Sequence, residues 1–468
     1  MKQTFFHRLC CLLLATAAVG FLSTAYGQST SASAAHPPAP RRPCIIFIQC
    51  DGLGYGDLSC YGQTKFQTPN LDRLAAGGIR FTTYYAGDAA SSPADAALML
   101  GRDSTHLQQR ADVDVPLATD DITVAQGLQE SGYHTALIGE WRLGGDGTSG
   151  APWKKGFDEF NGFTDPTDAK NYYSDYVWRY MPKSLLKPAT EQTGAFNGRE
   201  ALYANTDGKK GQYIPDLFAK AAGNFIRVNQ PDQFNRYRPF FLLLNFTVVR
   251  PGTGDTLPVP TDAPYSDEPW PQPEKNRAAM IARFDDHIGQ LLGQLKSLGI
   301  ESNTVIFFSS DTGPQTGGGV DPKFFQSAGP FRGQRGDLYE GGLRVPMIVS
   351  WPGRIPAGQV SDFPWAAWDF LPTAMQLALR EPPKNIDGFS VLPTLLGGTR
   401  TNRHELFSWT LQGRDLAQAA RMGDWKIVRA KAGAKWELYN LKNDPGETRN
   451  VADKNPDVIA KFEKLLKK

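Results

Sequence analysis

Cysteine is scarce in this sequence of 468 residues, which contains five cysteines in all. Two of them, Cys10 and Cys11, lie in an N-terminal apolar segment, which leaves Cys44, Cys50 and Cys60 for the rest of the chain. An odd number permits at most one disulfide, and the spacing matches no zinc site. The sequence therefore excludes a disulfide scaffold, and we expect these three thiols to pack in an apolar core.

A surplus of charge is also missing. Lysine and arginine number 50 against 48 aspartates and glutamates, which gives a formal net charge of +2. Because nucleic-acid binding depends on a strong positive surplus, we predict no nucleic-acid partner. Apolar residues make up 41% of the chain and charged residues 21%, as in ordinary globular proteins, so wholesale disorder is excluded as well.

The first 27 residues have the pattern of a secretory signal. Lys2 and Arg8 precede the apolar run Leu9–Leu14, and small residues follow through Ala25–Gly27. The run is short for a membrane span. We predict a signal peptide at 1–27, export to the periplasm or beyond, and a mature chain without a membrane span, with a retained N-terminal anchor as the alternative. Residues 28–42 are rich in serine, alanine and proline and are predicted to be a linker.

Apolar runs alternate with helical patterns along the rest of the chain. Residues 44–49, 134–139, 240–246 and 303–309 are typical of buried parallel strands, and apolar residues recur at helical spacing from 280 to 298. We predict an α/β domain at 43–395, with a largely parallel central sheet flanked by helices. Short strands and a last helix from Pro456 predict a small C-terminal α+β domain at 396–468.

Two acidic residues directly follow predicted strands. Asp51 comes after the first strand and Asp311 after the fourth. Parallel sheets bind ligands at the carboxyl ends of their strands, so this placement predicts two acids in one crevice. Aspartate is also a common turn residue at such positions, which is the alternative interpretation.

A series of motifs carries a family resemblance over residues 43–454. In chain order the motifs are DGLGYGDL (51–58), TPNLDRL (68–74, a capped helix start), SSPADAALMLGR (91–102), GEWRLG (139–144), SDTGP (310–314) and EGGLRVPMIVSWPG (340–353). This series resembles the sulfatase family of the alkaline-phosphatase superfamily. The resemblance implies an alkaline-phosphatase-like fold and, for the family, hydrolysis of sulfate esters.

The resemblance also implies which position should carry the nucleophile. Sulfatases oxidise a cysteine or serine to formylglycine within a Cys/Ser-x-Pro/Ala-x-Arg stretch. Here Ser91 stands at the nucleophile position and Pro93 is retained, but Asp95 replaces the arginine. From the residues alone, Ser91 is instead interpreted as a helix N-cap, with Asp95 in the first turn stabilised by the helix dipole.

The other family positions are substituted as well. Of the implied metal ligands, Asp51 and Asp311 are retained, while Gly52 and Thr312 replace an aspartate and an asparagine. The lysines and histidines that the family uses in catalysis are replaced, and their positions hold Glu140, Arg142, Arg250 and Arg335. Calcium requires six to eight oxygen ligands, so we expect no bound calcium and no other cofactor.

The substitutions follow a charge pattern. Four acids, Asp51, Asp95, Glu140 and Asp311, would face three arginines if all of them point into one crevice. We therefore hypothesise that an arginine–carboxylate network replaces the cation, since buried acids must be paired or bind metal. The alternative is that the arginines bind sulfate or carboxylate groups of a ligand.

The sequence therefore predicts an exported, catalytically impaired sulfatase homologue that binds a sulfated or acidic glycan or a protein partner. The first alternative is an active sulfuric-ester hydrolase of arylsulfatase type, with Ser91 as modified or plain nucleophile, an altered calcium site and small aryl sulfates as substrates. The second is a structural component of an envelope or matrix. The aromatic-rich stretch 171–180 either lines a glycan-binding rim or packs under an insertion. The candidate acids His106, His134, His287 and His404 lie outside the family's catalytic positions.

Overall fold

A ten-stranded mixed sheet forms the centre of the protein, and helices cover both of its faces. This computed structural model describes residues 42–467 apart from 110–114, 182–195, 236, 399–402 and 413–415. The predicted signal peptide and the linker up to residue 41 lie outside the described residues, so export stays a prediction. Within the described part, no helix combines the length and the apolar character needed to cross a membrane.

Strands and helices alternate along most of the chain. The strands are β1 (Cys44–Cys50), β2 (Ile79–Phe81), β3 (Tyr84–Tyr85), β4 (His134–Glu140), β5 (Glu159–Phe163), β6 (Tyr176–Met181), β7 (Phe196–Ala201), β8 (Phe240–Phe246), β9 (Thr304–Ser310), β10 (Met347–Ser350), β11 (Gln359–Ser361), β12 (Trp365–Ala366), β13 (Phe407–Leu411), β14 (Ala417–Met422), β15 (Trp425–Arg429) and β16 (Glu437–Asn440). The α-helices are α1 (Pro69–Ala76), α2 (Ser91–Leu100), α3 (Val124–Glu130), α4 (Pro166–Ala169), α5 (Ile214–Asn229), α6 (Gln272–Ser297), α7 (Glu340–Leu343), α8 (Phe370–Leu377), α9 (Leu392–Leu395) and α10 (Pro456–Leu465).

The large sheet has the strand order β11-β2-β10-β9-β1-β8-β4-β5-β6-β7. Its five central strands, from β9 to β5, are parallel, and only β10 and β6 run in the opposite direction. The sheet is therefore largely parallel, and the predicted alkaline-phosphatase-like α/β fold is confirmed. All four strands predicted from apolar runs are central strands, because a strand covered on both faces must be apolar on both.

Alternate residues of β1 enter two different cores. Ile45 and Phe47 pack with α2, α3 and α8 on one face, while Ile46 and Ile48 pack with α1, α5 and α6 on the other. Cys44 and Cys50 are buried and Cys60 is half-buried, and all three are free thiols. The first two thus pack in the apolar core as predicted.

A second, four-stranded antiparallel sheet of β13 to β16 lies near the C-terminus. The helix α10 packs on it through Phe462, which shares a small core with Ile427 and Leu438. This sheet and helix are the small C-terminal α+β element that the sequence predicts, while its boundary at residue 396 stays a prediction. The buried Lys426 of β15 pairs with Glu340 of α7 at 3.0 Å and joins this sheet to the rest of the chain.

Candidate active-site crevice

The carboxyl ends of the central strands bring the predicted site residues together. In the ladder of β1 and β9, Cys50 lies opposite Ser310, so the next residues, Asp51 and Asp311, leave their strands side by side. Glu140 is the last residue of β4. Because neighbouring parallel strands end at the same edge, these acids converge on one crevice.

Arg142 lies in the middle of this crevice. Its Nη1 atom is 2.8 Å from a carboxylate oxygen of Asp95 and 3.4 Å from one of Asp311. Its Nη2 atom is 2.8 Å from Asp51 and 2.7 Å from Glu140. A single guanidinium with only 4% of its side chain exposed therefore contacts all four predicted acids.

Two further arginines complete the cluster. Arg250, which follows β8, places Nη1 2.7 Å from Glu140 and 3.2 Å from Asp51. Arg335 donates to the other oxygen of Asp51 at 2.7 Å and to the amide oxygen of Gln315 at 2.9 Å. We call these four acids and three arginines the crevice cluster. Arg335 is its most exposed member, with 24% of its side chain exposed.

The pKa values of the acids follow from burial and from these arginines. Burial alone would raise the pKa of Asp51, but Arg142, Arg335 and Arg250 hold it well below its usual range. Burial raises the pKa of Asp311, and neighbouring Asp51 raises it further against the effect of Arg142. Burial also raises the pKa of Asp95 to about 7, which Arg142 offsets only in part. A proton on Asp95 would leave three carboxylates facing three guanidinium groups.

Ser91 lies beside this cluster but is not an N-cap. The N-cap of α2 is Ala90, whose backbone is extended at φ −117° and ψ 145°, and Ser91 is already the first helical residue. Its side chain is buried, and among the described residues its hydroxyl has no hydrogen-bond partner of standard geometry. The hydroxyl is close enough to Asp311 to lower that carboxyl's pKa. The predicted N-cap role is therefore wrong, because the helix begins one residue earlier.

Asp95 lies in the second turn of α2, so the expectation of a first-turn dipole contact is also wrong. The ion pair with Arg142 holds its carboxylate instead, and Gln49 donates to it from β1 at 2.7 Å.

The donor set does not fit a resident calcium ion. Both oxygens of Asp51 accept from guanidinium groups, and one oxygen of Asp311 accepts from the backbone N–H of Gly52 at 2.9 Å. Gly52 offers no side-chain ligand, and the Thr312 hydroxyl donates to Asp311 at 3.3 Å. A calcium ion would have to displace Arg142 from between the carboxylates to gain the six or more oxygens that it needs.

Three residues that the sequence analysis did not single out also hold the crevice. Gln49 is the one polar residue of the apolar strand β1, and it is two positions before Asp51, so strand alternation puts both on one face. That pattern could have identified it. Tyr172 donates its hydroxyl to the Arg250 carbonyl at 2.7 Å, and Gln315 binds Arg335. Tyr172 belongs to the aromatic-rich stretch 171–180, which does not indicate this contact, and Gln315 has no signal in the sequence.

The four candidate histidines each pair with an acid outside the crevice cluster. The pairs are His106 with Asp387, His134 with Glu159, His287 with Asp216 and His404 with Asp369, at 2.7–3.0 Å. These ion pairs and hydrogen bonds account for the histidines without a part in the crevice, so their role as acids in catalysis has no geometric support.

Two family profiles match the chain. Residues 43–379 match the profile described as Sulfatase. Residues 334–468 match the one described as N-sulphoglucosamine sulphohydrolase, C-terminal.

Characterised relatives match over most of their length. The chain is 31% identical over 435 residues to N-acetylgalactosamine-6-sulfatase of Canis lupus familiaris, covering 88% of this chain and 77% of the relative. It is 30% identical over 467 residues to arylsulfatase A of Homo sapiens, covering 91% and 87%. Among solved structures it is similar to Ps i-CgsB in complex with k-i-k-neocarrahexaose, with a TM-score of 0.73, 28% identity and coverage of 91% and 92%.

Proposed function

This chain belongs to the sulfatase family, and from that premise we propose that it is a catalytically impaired member that binds sulfated or acidic glycans. The observation that carries the proposal is the position of Arg142 between four carboxylates. Its guanidinium supplies the positive charge that these acids need, and it cannot be deprotonated at physiological pH. Burial would lower its pKa, but the acids, Glu140 first among them, raise it well above the usual value.

Hydrolysis of a sulfate ester needs a cation that polarises the sulfate oxygens. Calcium offers open coordination positions to a substrate oxygen, whereas both terminal nitrogens of Arg142 are already directed at the protein's own carboxylates. The three arginines therefore nearly neutralise the four acids, and the cluster leaves no Lewis acid for the substrate.

Hydrolysis also needs an activated nucleophile and an acid for the leaving alcohol. Asp95 stands where the family's modification stretch has arginine, and its carboxylate is held by Arg142, so we expect Ser91 to stay unmodified. Plain serine is a weak nucleophile without a base, and the adjacent Asp311 is itself paired with Arg142. Arginine cannot replace a catalytic histidine as a proton donor, because its pKa is far too high.

The names of the relatives and the ligand of one solved structure support glycan binding. Two of the relatives are named for a sulfated amino sugar and for aryl sulfates, and a solved structure of similar fold holds a neocarrahexaose. A protein that keeps this scaffold without its metal site retains a surface shaped around such ligands. Binding of a protein partner is the alternative that remains if no glycan binds.

Activity is tested with a chromogenic aryl sulfate, with and without added calcium, and with mass spectrometry of the peptide that contains Ser91. We expect turnover no higher than that of Ser91→Ala and a peptide of unmodified mass. Calcium-dependent turnover that Ser91→Ala abolishes, or a peptide lighter by two hydrogens as formylglycine requires, would show an active sulfatase instead.

Binding is tested with sulfated, uronate and neutral oligosaccharides of equal length. We expect the two anionic probes to bind and the neutral one to bind at least about tenfold more weakly, since charge–charge contacts supply the difference. If none of the three binds, the glycan part of the proposal is wrong, and a protein partner or a purely structural role takes its place.

A further inference from the structure

The crevice arginines cannot bind an external anion in the way the sequence suggested. Arg142 and Arg250 have 4% and 8% of their side chains exposed, and both are paired with the cluster's own acids. Among the three crevice arginines, only Arg335 is exposed by more than a tenth of its side chain, and it too is paired with Asp51. An anionic glycan therefore needs other cations near the crevice.

A polar cleft is linked to the crevice through Tyr172, which lines the cleft and donates its hydroxyl to the Arg250 carbonyl. It has a volume of about 400 Å³ and lies between the segments 170–175, 205–210 and 253–258. The chain that follows Arg250 forms one of its walls, since the N–H of Thr253 donates to the Lys170 carbonyl at 3.1 Å. We call it the lysine cleft. Its volume lies in the range of small-ligand sites.

Three lysines line this cleft without an acidic partner. Lys170, Lys209 and Lys210 are exposed, and in the described part of the chain none of them forms an ion pair. Two acids, Asp175 and Asp207, also line the cleft, so its charge is positive by one. Unpaired lysines in a concave surface focus the field that attracts an anion.

The loop that carries two of these lysines is held in place. Asn205 is buried, and its side-chain amide donates to the carbonyls of Ser174 and Gln212, each at 2.8 Å. Beyond it, Asp207 has a left-handed backbone at φ 58°, a conformation that non-glycine residues adopt at a cost, and the chain then turns towards Lys209. A loop fixed in this way loses little entropy when a ligand binds.

Tyr173 gives the lysine cleft an aromatic wall. Its ring is half-buried and packs against Tyr213 at a centroid distance of 5.5 Å, and Lys210 lies 5.6 Å from its centre. An aromatic ring supported from behind offers an apolar face to the C–H surface of a sugar ring. Aromatic and cationic groups together suit a sugar that carries an anionic substituent.

We propose that the lysine cleft is a subsite for an anionic sugar residue, whose sulfate or carboxylate group contacts Lys209 and Lys210 while its ring packs on Tyr173. This inference rests on the proposed glycan binding and adds the place on the surface where the charge of the glycan is recognised.

The test compares dissociation constants for a heparin-derived hexasaccharide, measured by calorimetry. The variants are Lys209→Ala with Lys210→Ala, Tyr173→Ala, and a control pair, Lys461→Ala with Lys464→Ala, whose lysines are exposed on α10. We expect about tenfold weaker binding and a smaller salt dependence for the cleft pair, and less than a twofold change for the control. Replacement of Lys209 and Lys210 by arginine should retain binding, because it keeps the charge.

The outcomes separate this inference from the proposed function. If the wild-type protein binds the hexasaccharide and the cleft pair binds it equally well, the subsite is wrong while glycan binding stands. If the wild-type protein binds neither this probe nor a uronate hexasaccharide, the glycan part of the proposed function fails, and the subsite with it. Both probes carry carboxylates and only the heparin-derived one carries sulfate, so tighter binding of the heparin-derived probe shows that sulfate contributes, and equal binding shows that carboxylate is sufficient. Unchanged melting temperatures establish that the variants fold.

Discussion

We propose that Arg142 determines whether the crevice can hold a divalent cation. Burying a charge is costly, and a buried ion pair offsets that cost only when geometry and hydrogen bonding are good. Arg142 meets this condition, because both terminal nitrogens bind two carboxylates each at 2.7–3.4 Å. Lysine could not reproduce the arrangement, since it lacks the planar fork of donors.

Replacing Arg142 with methionine should therefore destabilise the protein strongly. The change leaves four buried acids with only two arginines, and loss of one partner of a buried pair costs about 3–5 kcal/mol. Without Arg142, the pKa values of the acids rise in the folded state, so the variant should regain stability as the pH falls and the carboxyls take up protons. Urea unfolding at several pH values measures both effects.

The matched control is Arg102→Met. Arg102 pairs with Asp121 at 3.3 Å near the surface, with 31% of its side chain exposed. Its loss should cost no more than about 1 kcal/mol at any pH. Calcium should stabilise Arg142→Met but not the wild-type protein, because only the variant frees the carboxylates. Equal losses for the two variants would contradict the role assigned to Arg142.

Asp88 permits a prediction about pH. It is fully buried three residues before the start of α2, accepts from the N–H of Ala90 at 3.0 Å, and has a pKa that burial raises to about 7. Because the pKa of this acid is higher in the folded state than in the unfolded chain, the protein loses stability as the pH rises from about 4, the pKa in the unfolded chain, to about 7. Asp88→Asn should therefore be more stable than the wild-type protein at pH 8, by on the order of 2–4 kcal/mol, and not at pH 4. Parallel pH–stability curves for the two proteins would refute this.

At the scale of elements, the strand ends were predictable and the helix start was not. The apolar runs locate β1, β4, β8 and β9, and the residues that follow them reach one edge of the sheet by topology alone. Ser91 illustrates the limit, because serine favours the N-cap but the backbone at Ala90 takes that position. The edge strands β11 and β7 and their neighbours β2 and β6 are short or only partly buried, so burial leaves no clear apolar pattern in their sequences.

The contacts within the crevice cluster could be predicted only in part. The number of acids and arginines in the motifs predicts that they pair with each other, but it does not predict which guanidinium lies between the four carboxylates. That depends on side-chain reach from different elements, with Arg142 two residues beyond the end of β4 and Arg250 four residues beyond β8. Tyr172 and Gln315 were missed for the same reason, since they act through contacts distant in sequence.

The C-terminal sheet depends on a buried lysine. Lys426 of β15 is fully buried and lies 3.0 Å from Glu340 and 3.1 Å from Glu447. Burial would raise the pKa of Glu340, but Lys426, Arg344 and Arg421 lower it to about 2. The pair therefore joins the C-terminal sheet to α7 through charges that water does not screen.

Lys426→Met should cost about 3–5 kcal/mol of unfolding free energy and speed hydrogen exchange in β14 and β15, because two buried glutamates lose their nearest cation. The exposed Lys442 provides the control, and Lys442→Met should change stability by no more than about 0.5 kcal/mol. If the two variants unfold at the same urea concentration, Lys426 does not hold the sheet.

At the scale of the whole molecule, the sulfatase scaffold is retained, and we propose that the polar groups of its site have changed. The family profiles span residues 43–379 and 334–468, and the fold matches solved structures over nine-tenths of the chain. The fold class follows from apolar runs and the family from a series of motifs, so both could be predicted from the sequence. Function depends on a few polar groups at one sheet edge, and a fold hosts different activities when those groups change.

Metal analysis tests the replacement of the cation most directly. The purified protein is equilibrated with excess calcium, desalted, and analysed for total metal, while its melting temperature is measured with and without calcium. A ligand that binds only the folded state raises the melting temperature, and a tighter ligand raises it further. We predict substoichiometric metal and an unchanged melting temperature. One calcium ion per chain, with a stabilisation that Asp51→Asn removes, would contradict the central claim that Arg142 has replaced the metal.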